Sequence, residues 1–527
     1  AYRDNEITPT HPLLHTLDLL HKAQIPSQTI ALNPLQLEDI QALLGDTFQR
    51  SPTATAPLAE LLLTKTAGNP FFMNEFLYAL YVEGLLTVDA QGHWEWSIAQ
   101  IQQHGLTDNV VELMVNKIQR LAPAVQLVIQ RAACIGNEFD SATVAAVLAV
   151  TEQATTQTET GTIAALRTAS QEGLVVVLEP DDTTQNPAIA KPRYQFAHDR
   201  IQQAAYSLNS EGDRQVIHHY LGHYLFQHAQ QAEPTVALHQ IPALFAIVNH
   251  LNLAPDYLQT SAARQQLAEL NLAAGEKAKQ SAAYAAALSY FKAGIHLLPP
   301  DPWHGQYEFC LALYSAAVEA AYLQGDLAQM AEWVVAIETA AQTPLDLLRI
   351  YTIQIQAACS QMQFLAALQL GLDGLAKLGV SFPAEPTPQE LELSFQQTQT
   401  HLGDRPIASL KDLPAMTDPT AQAISHLLTN LLAPAYQAAP ALFPLLILKM
   451  VDVSLEFGNN PLSAFAYSAY GNILSAVRLE IEAGYEFGQL AIAVLEQFPR
   501  HPIGCKTLFM VNTCIRFRKV HLQATIP

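Results

Sequence analysis

The residues best suited to recognising a ligand lie in the run Lys65-Thr66-Ala67-Gly68-Asn69-Pro70-Phe71-Phe72-Met73-Asn74-Glu75-Phe76-Leu77. A Gly-x-Pro turn lets the backbone bend sharply at Gly68 and fixes φ at Pro70, so the aromatic-rich helix that follows can offer an apolar edge to a flat ring such as adenine. The same residues also read as a plain helix–turn–helix junction with Pro70 near a helix start. A second candidate is His198, which opens a helical pattern in Phe196-Ala197-His198-Asp199-Arg200. There an imidazole can donate to an anion that the helix N-terminus already favours. It can equally cap its own helix, with Asp199 complementing the dipole.

Other constellations are incomplete. No G-x-x-x-x-G-K-[ST] run occurs, so the loop that would cradle phosphates is missing. Val175-Val176-Val177-Leu178-Glu179 with Asp181 and Asp182 has the look of a Mg²⁺-binding strand end, yet without that loop it reads as one strand of a hairpin. His219 and His223 sit one helical turn apart and could hold a metal. No nearby carboxylate or Cys completes a ligand set, so they are expected to be surface histidines. No nucleophile–base pair stands out, and the chain by itself is not expected to be an enzyme. The five cysteines are odd in number and widely spaced, which suggests neither a disulfide framework nor a thiolate zinc site and fits a reducing cytoplasm.

Composition narrows the class further. A chain of 527 residues exceeds what one core usually serves, and three or more domains are expected. Half the residues are hydrophobic and 14% charged, which favours a packed helical protein over a disordered one. The net charge of −21 disfavours bulk nucleic acid and anionic membrane as partners. From Pro419 to Leu448 there is no Asp, Glu, Lys or Arg, but Pro434, Pro440 and Pro444 interrupt the run and Asn430 and Gln437 carry amides. Buried solenoid helices are expected there, not a membrane span. The chain begins at Ala1 without Met, which reads as a fragment or a processed segment.

These residues need elements to position them. An amphipathic helix over Leu13–Lys22 and a β-like run Gln28–Leu32 precede an apolar face of Leu35, Leu37, Ile40, Leu43 and Leu44, the pattern of an α/β core passing into a helical lid. Helices are expected over 54–66 and 71–83, capped by Gly84. Helices over 109–121, 123–134, 141–150 and 162–172, the last ended by Gly173, then lead to strands 174–178 and 194–196 across a polar loop from Asp181 to Pro192. Helices plus a terminal hairpin describe a winged helix. Between Val111 and Ser207 seven Lys/Arg face ten Asp/Glu, and Arg167 is the only basic residue of the helix before the wing. A DNA-recognition helix needs several donors, so packing or regulation is expected instead. From 211 onward nearly everything reads as helix. Gly275, Tyr284, Ala287, Phe291 and Pro299 fall at tetratricopeptide offsets, and Gly325-Asp326 marks a turn. Ala331 and Ala367 are expected as the small positions of later units, at spacings longer than the usual ~34 residues. Pro383 to Pro419 reads as a connector around one helix.

Three motifs in this order resemble the signal-transducing P-loop ATPases with numerous domains. Ala1-Tyr2-Arg3-Asp4-Asn5-Glu6 looks like the segment after the sensor strand, Gly68-Asn69-Pro70 like the lid's Gly-x-Pro, and Phe196-Ala197-His198-Asp199-Arg200 like the winged-helix His-Asp motif. The resemblance implies that Arg3 approaches the γ-phosphate, that Gly68 and Pro70 form the adenine edge, and that His198 reaches the ADP phosphate in the inactive state. A fuller similarity covers most of the chain. Trp94-Glu95-Trp96, Thr107-Asp108-Asn109-Val110-Val111-Glu112-Leu113-Met114, Ala132-Ala133-Cys134-Ile135-Gly136-Asn137, His198 to Tyr206, Met416-Thr417-Asp418-Pro419 and Tyr485 to Ala491 are similar to the regulatory middle of very large bacterial signalling kinases.

Those kinases place a Ser/Thr kinase domain before the ATPase, and often a GAF sensor and histidine kinase after the repeats. The resemblance implies a mainly α fold: residues 1–84 as the end of an ATPase core plus helical lid, 85–210 as a winged helix, and 211–527 as a tetratricopeptide-like scaffold. It implies ATP or ADP with Mg in the intact parent and no cofactor for the chain alone, because the phosphate loop, its Lys and the Mg²⁺-binding Asp would lie upstream of Ala1. Partners would be other domains of the polypeptide and unknown proteins docking on the repeats, with no specific nucleic acid. A repeat scaffold with a vestigial lid and a winged-helix ATPase regulator of transcription are the alternatives.

Overall fold

The computed structural model describes residues 25, 28, 30–104, 109–151, 159–178, 192–232, 237–241 and 243–521. The motif carrying Arg3, the expected helix over Leu13–Lys22, and Glu179, Asp181 and Asp182 lie outside the described residues. The fold is mainly α, and it divides into two compact units, residues 1–274 and 275–527.

The first unit opens with α1 (Leu37–Phe48), α2 (Pro52–Thr66) and α3 (Pro70–Val82). Proline at the first helical position starts α2 and α3, where its missing N–H and fixed φ cost nothing. Between them Ala67 and Gly68 both take positive φ, at 50° and 72°, which turns the chain within two residues. Gly84 and Gly173 likewise take positive φ where helix ends are expected. Of the expected apolar face, Ile40 and Leu44 are fully buried, whereas Leu43 is 40% exposed. Phe48 takes the place expected for Leu43 in the core, because the buried stripe runs 40–44–48 at helical spacing. Of the expected strand over Gln28–Leu32, the described residues Gln28, Ile30, Ala31 and Leu32 are irregular, with Ile30 and Leu32 exposed, and among the described residues no strand pairs with them.

A hairpin of β1 (Leu86–Val88) and β2 (Trp94–Trp96) follows, then α4 (Ile98–His104). Both indoles of β2 meet Phe48 with ring centroids at 5.3 Å, tying the hairpin to α1. Next come α5 (Val110–Gln119), α6 (Pro123–Ile135), β3 (Glu138–Asp140), α7 (Ser141–Thr151), α8 (Glu159–Gln171), β4 (Val175–Leu178), β5 (Arg193–Phe196) and α9 (Asp199–Ser207). The strands form an antiparallel sheet of order β3-β5-β4, in which Tyr194 pairs with Phe139 on one side and Val177 on the other. The expected hairpin is therefore the larger part of a three-stranded wing. One continuous core runs from Ile40 through Phe76 and Met114 to Ala205, so α1–α9 and both sheets are a single packed body. The unit continues in α10 (Glu211–Ala232), α11 (Leu244–Asn252) and the first part of α12 (Ser261–Gln280).

The second unit is helical throughout its described length: α13 (Tyr284–His296), α14 (Tyr307–Gln324), α15 (Leu327–Ala340), α16 (Leu348–Ser360), α17 (Phe364–Lys377), α18 (Pro388–Leu402), α19 (Pro419–Ala438), α20 (Phe443–Phe457), α21 (Pro461–Ile473), α22 (Ile481–Leu495) and α23 (Ile503–Met510). The packed pairs include α13 with α14, α14 with α15, α16 with α17, α19 with α20, α20 with α21 and α21 with α22, with α17 also on α19 and α18 on α20. Gly275 is the close-approach position expected of it, since a Cβ there would lie 2.3 Å from the fully buried Phe291 ring. Ala367 is fully buried as expected, but Ala331 is exposed; α15 turns Met330, Trp333, Val334 and Ile337 inward and leaves Ala331 outside that stripe. The charge-free run forms α19 and the start of α20, both deeply buried, and among the described residues no helix is long and apolar enough to cross a membrane.

The motif Met416-Thr417-Asp418-Pro419 has a structural task. Asp418 caps α19 by accepting from the Ala421 N–H at 2.8 Å, and Met416 donates its N–H to the Asn459 carbonyl at 2.8 Å. Asn459 is itself held by Tyr467 Oη, which donates to Oδ1 at 3.0 Å, and donates from Nδ2 to the Leu410 carbonyl at 2.7 Å. These bonds fasten the connector to α20 and α21.

Candidate functional site

The turn at Gly68-Asn69-Pro70 is rigid for identifiable reasons. The Leu35 N–H donates to the Gly68 carbonyl at 2.9 Å, and a Cβ on Gly68 would lie 2.3 Å from the Leu35 carbonyl oxygen. Only glycine fits. Asn69 caps α3, its Oδ1 accepting from the Phe72 N–H at 3.0 Å, which leaves Pro70 exposed at the helix start.

His198 occupies the N-cap of α9 with an extended backbone. Its Nδ1 lies 3.1 Å from the Arg200 N–H and 2.5 Å from Asp199 Oδ1, while Asp199 Oδ1 lies 2.9 Å from the same N–H. So short an approach of a ring nitrogen to a carboxylate oxygen is favourable only with a proton between them, so Nδ1 donates to Asp199 when protonated and accepts from Arg200 when not. The imidazole ring lies flat on Phe71, with centroids 4.0 Å apart and planes at 7°.

That stack is the central geometric result, because Phe71 directly follows Pro70. Two of the sequence motifs, distant along the chain, meet through it. Gly68 and Pro70 position Phe71, and Phe71 meets His198; Arg3 lies outside the described residues. Phe71 was missed as a site residue by sequence reasoning, although it sits inside the run that was singled out. The available signal was its place immediately after the helix-starting proline.

Separately, α3 and α5 border a cleft of about 280 Å³ lined by Tyr78, Val82, Met114 and Leu121. Lys117 pairs with Glu75 at 2.9 Å and Arg120 with Glu83, so two ion pairs cross from one helix to the other. The Lys117 ammonium also lies 5.0 Å from the Tyr78 ring centroid.

The expected pair His219 and His223 is half-buried, not on the surface, because α10 packs against α7 and α11. Their rings meet edge to face at 4.4 Å, and among the described residues no group of three His, Cys, Asp or Glu is arranged for a metal. A different histidine pair lies deeper. His218 Nδ1 and His250 Nδ1 are 3.0 Å apart, and Tyr206 Oη meets His218 Nε2 at 3.1 Å. Burial pushes both imidazoles down to about 4, with Arg214 adding to the effect at His218, and His218 at His250.

No protein-family model matches the chain. In sequence the chain is similar to hybrid signal transduction histidine kinase G of Dictyostelium discoideum, 23% identical over 591 aligned residues that cover 100% of this chain and 17% of that protein. The chain thus spans less than a fifth of the length of the curated relative it matches. Among solved structures it is similar to a signal transduction ATPase with numerous domains carrying a tetratricopeptide repeat sensor, from Pyrococcus horikoshii. That likeness is loose, at 11% identity, 94% of this chain, 72% of the other and a TM-score of 0.24.

Proposed function

We propose that this chain is a regulatory segment of a larger multidomain signalling protein kinase of the histidine or Ser/Thr class, in which the region around α2–α9 responds to bound nucleotide and the later helices present a scaffold to other proteins. Similarity to a Dictyostelium protein named as a hybrid histidine kinase supports the signalling context, and the motif resemblance extends it to bacterial kinases. The single observation that carries the switch is the Phe71–His198 stack, which joins the Gly-x-Pro turn to the N-terminus of α9. ATP or ADP with Mg would be held chiefly by a phosphate loop and acidic strand elsewhere in the parent. This chain would add Arg3, the exposed Pro70 beside the rigid Gly68 turn, and His198. In this reading Pro70 would offer an apolar edge to adenine, and Arg3 and His198 would each donate to a phosphate oxygen. A contact made in one nucleotide state alone shifts the equilibrium by its own energy.

Stopped-flow release of a fluorescent ADP analogue from the intact parent tests this reading. His198→Ala is expected to speed release, because a hydrogen bond to a charged oxygen is worth roughly 1–3 kcal/mol. The second reading, a scaffold with a vestigial lid, is favoured by the approach of His198 Nδ1 to the Arg200 N–H at 3.1 Å. Under it, His198→Ala lowers the melting temperature and leaves ADP release unchanged.

A further inference from the structure

The nucleotide reading leaves the cleft between α3 and α5 unused. It measures about 280 Å³, at the small end of ligand pockets, and its lining is more apolar than polar. Tyr78 and Val82 face it from α3, Met114 from α5 and Leu121 from just beyond the end of α5. Met114 is fully buried, whereas Tyr78 and Val82 are each 47% exposed, so the cleft has an apolar floor and an open apolar wall. Tyr78 and Val82 share one helical face and lie about two and three turns beyond Phe71, roughly 10–17 Å along α3. The cleft is therefore separate from the Phe71–His198 stack.

The charges around it do not balance. Glu75, Glu83 and Glu172 line the cleft against Lys117 and Arg120, three carboxylates to two bases. Both bases are engaged: Lys117 Nζ lies 2.9 Å from Glu75 Oε2 and 5.0 Å from the Tyr78 ring centroid, and Arg120 pairs with Glu83. Glu172 is exposed, and among the described residues no base lies within ion-pair distance of it. It directly follows the last residue of α8, its N–H donating to the Thr168 carbonyl at 3.0 Å, where the helix dipole opposes a carboxylate. Local stability thus gives no reason for a negative charge at this place. A cation entering the cleft would complete the pairing.

We propose that this cleft binds a small apolar monocation of the aromatic primary amine class, its ammonium on the Glu172 carboxylate and its hydrocarbon body against Tyr78, Val82 and Met114. An anion is disfavoured, because each lining base would have to leave its carboxylate to hold one. The occupant would brace α3, which carries Phe71, against α5, which packs on α9, the helix that His198 caps. The assignment does not depend on the nucleotide reading, and its test uses no nucleotide.

Isothermal titration of the whole chain with phenethylamine, phenethyl alcohol and hydrocinnamate tests the assignment. Phenethylamine is expected to bind at one site, the alcohol roughly tenfold more weakly and the carboxylate not at all, because only the ammonium makes a charge-assisted bond to Glu172. Glu172→Gln is expected to weaken the amine by about tenfold and to leave the alcohol unchanged. It should not lower the melting temperature, since the helix dipole disfavours the native carboxylate. Val82→Trp, which fills the cleft from its open wall, is expected to abolish binding of both amine and alcohol. Alcohol or hydrocinnamate binding as tightly as the amine, amine affinity indifferent to Glu172→Gln or to Val82→Trp, or no phenethylamine heat up to about 10 mM would each overturn it.

Discussion

At the residue scale, two glycines with nearly the same backbone separate strain from crowding. Gly68 and Gly84 have φ of 72° and 71°, but a Cβ at Gly84 meets nothing within 4 Å whereas one at Gly68 meets the Leu35 carbonyl oxygen at 2.3 Å. Gly84→Ala is expected to cost the backbone term alone, about 1 kcal/mol. Gly68→Ala adds a clash with backbone that has no rotamer to move, so its cost should exceed about 2 kcal/mol in urea unfolding. Equal costs would remove the argument that this turn is rigid. The buried pair His218 and His250 makes a pH prediction. Both fall from the ordinary 6.5 to about 4 on folding, so the unfolded chain takes up protons first on acidification. Their contribution to stability is complete above pH 6.5 and is lost as the pH falls from there through about 4. The double variant His218→Gln/His250→Gln should show a flatter loss of urea midpoint between pH 7.5 and 4.5, and parallel curves would refute the assignment.

At the element scale, the ion pairs between α3 and α5 differ in kind from those on the wing. Lys117 and Glu75 are each 16% exposed, whereas Arg193 and Glu138, which join β5 to β3, are 50% and 48% exposed. Removing one partner of a mostly buried pair strands the other, so Lys117→Met should cost about 1–3 kcal/mol; Arg193→Met should cost less than about 1 kcal/mol. Chemical denaturation of the two variants decides this, and a costlier wing pair would reverse the ranking. The same elements show what the sequence could reveal. The start of α3 was legible because Pro70 sets it, and the ends of α3 and α8 because Gly84 and Gly173 follow, whereas α2 starts at Pro52, two residues before the expected 54. The strands β1, β2 and β3 have three residues each, too few for alternation to register, although Trp94-Glu95-Trp96 carried it in miniature. Ala331 was misplaced because repeat spacing drifts once units diverge, while Ala367 lay near enough to the next helix crossing to be found. Of the candidate site, Gly68, Pro70 and His198 were legible as residue types; the Phe71–His198 contact was not, since no local pattern encodes a meeting of distant segments.

At the scale of the whole molecule, charge and architecture bear on what the wing can meet. A helical body ending in an antiparallel wing is a shape that can enter a DNA groove, so shape alone would permit duplex binding. Charge opposes it. The chain carries −21 overall, seven Lys/Arg against ten Asp/Glu lie between Val111 and Ser207, and Arg167 is the only basic residue of α8. Four of the described bases are also engaged: Arg193 pairs with Glu138, Lys117 with Glu75, Arg120 with Glu83, and Arg131 donates to Asn209 Oδ1 at 2.6 Å from a buried position. Moving them to phosphates would break contacts that hold the core together, and the non-specific electrostatic term that starts DNA binding is absent at this net charge. The expected result is no sequence-dependent shift of duplex DNA in a mobility assay at physiological salt, for the whole chain and for variants in which Glu138 or Glu172 is replaced by Gln. A sequence-dependent complex that survives added salt would show instead that the wing reads bases, and would move the chain toward the transcription-regulator alternative.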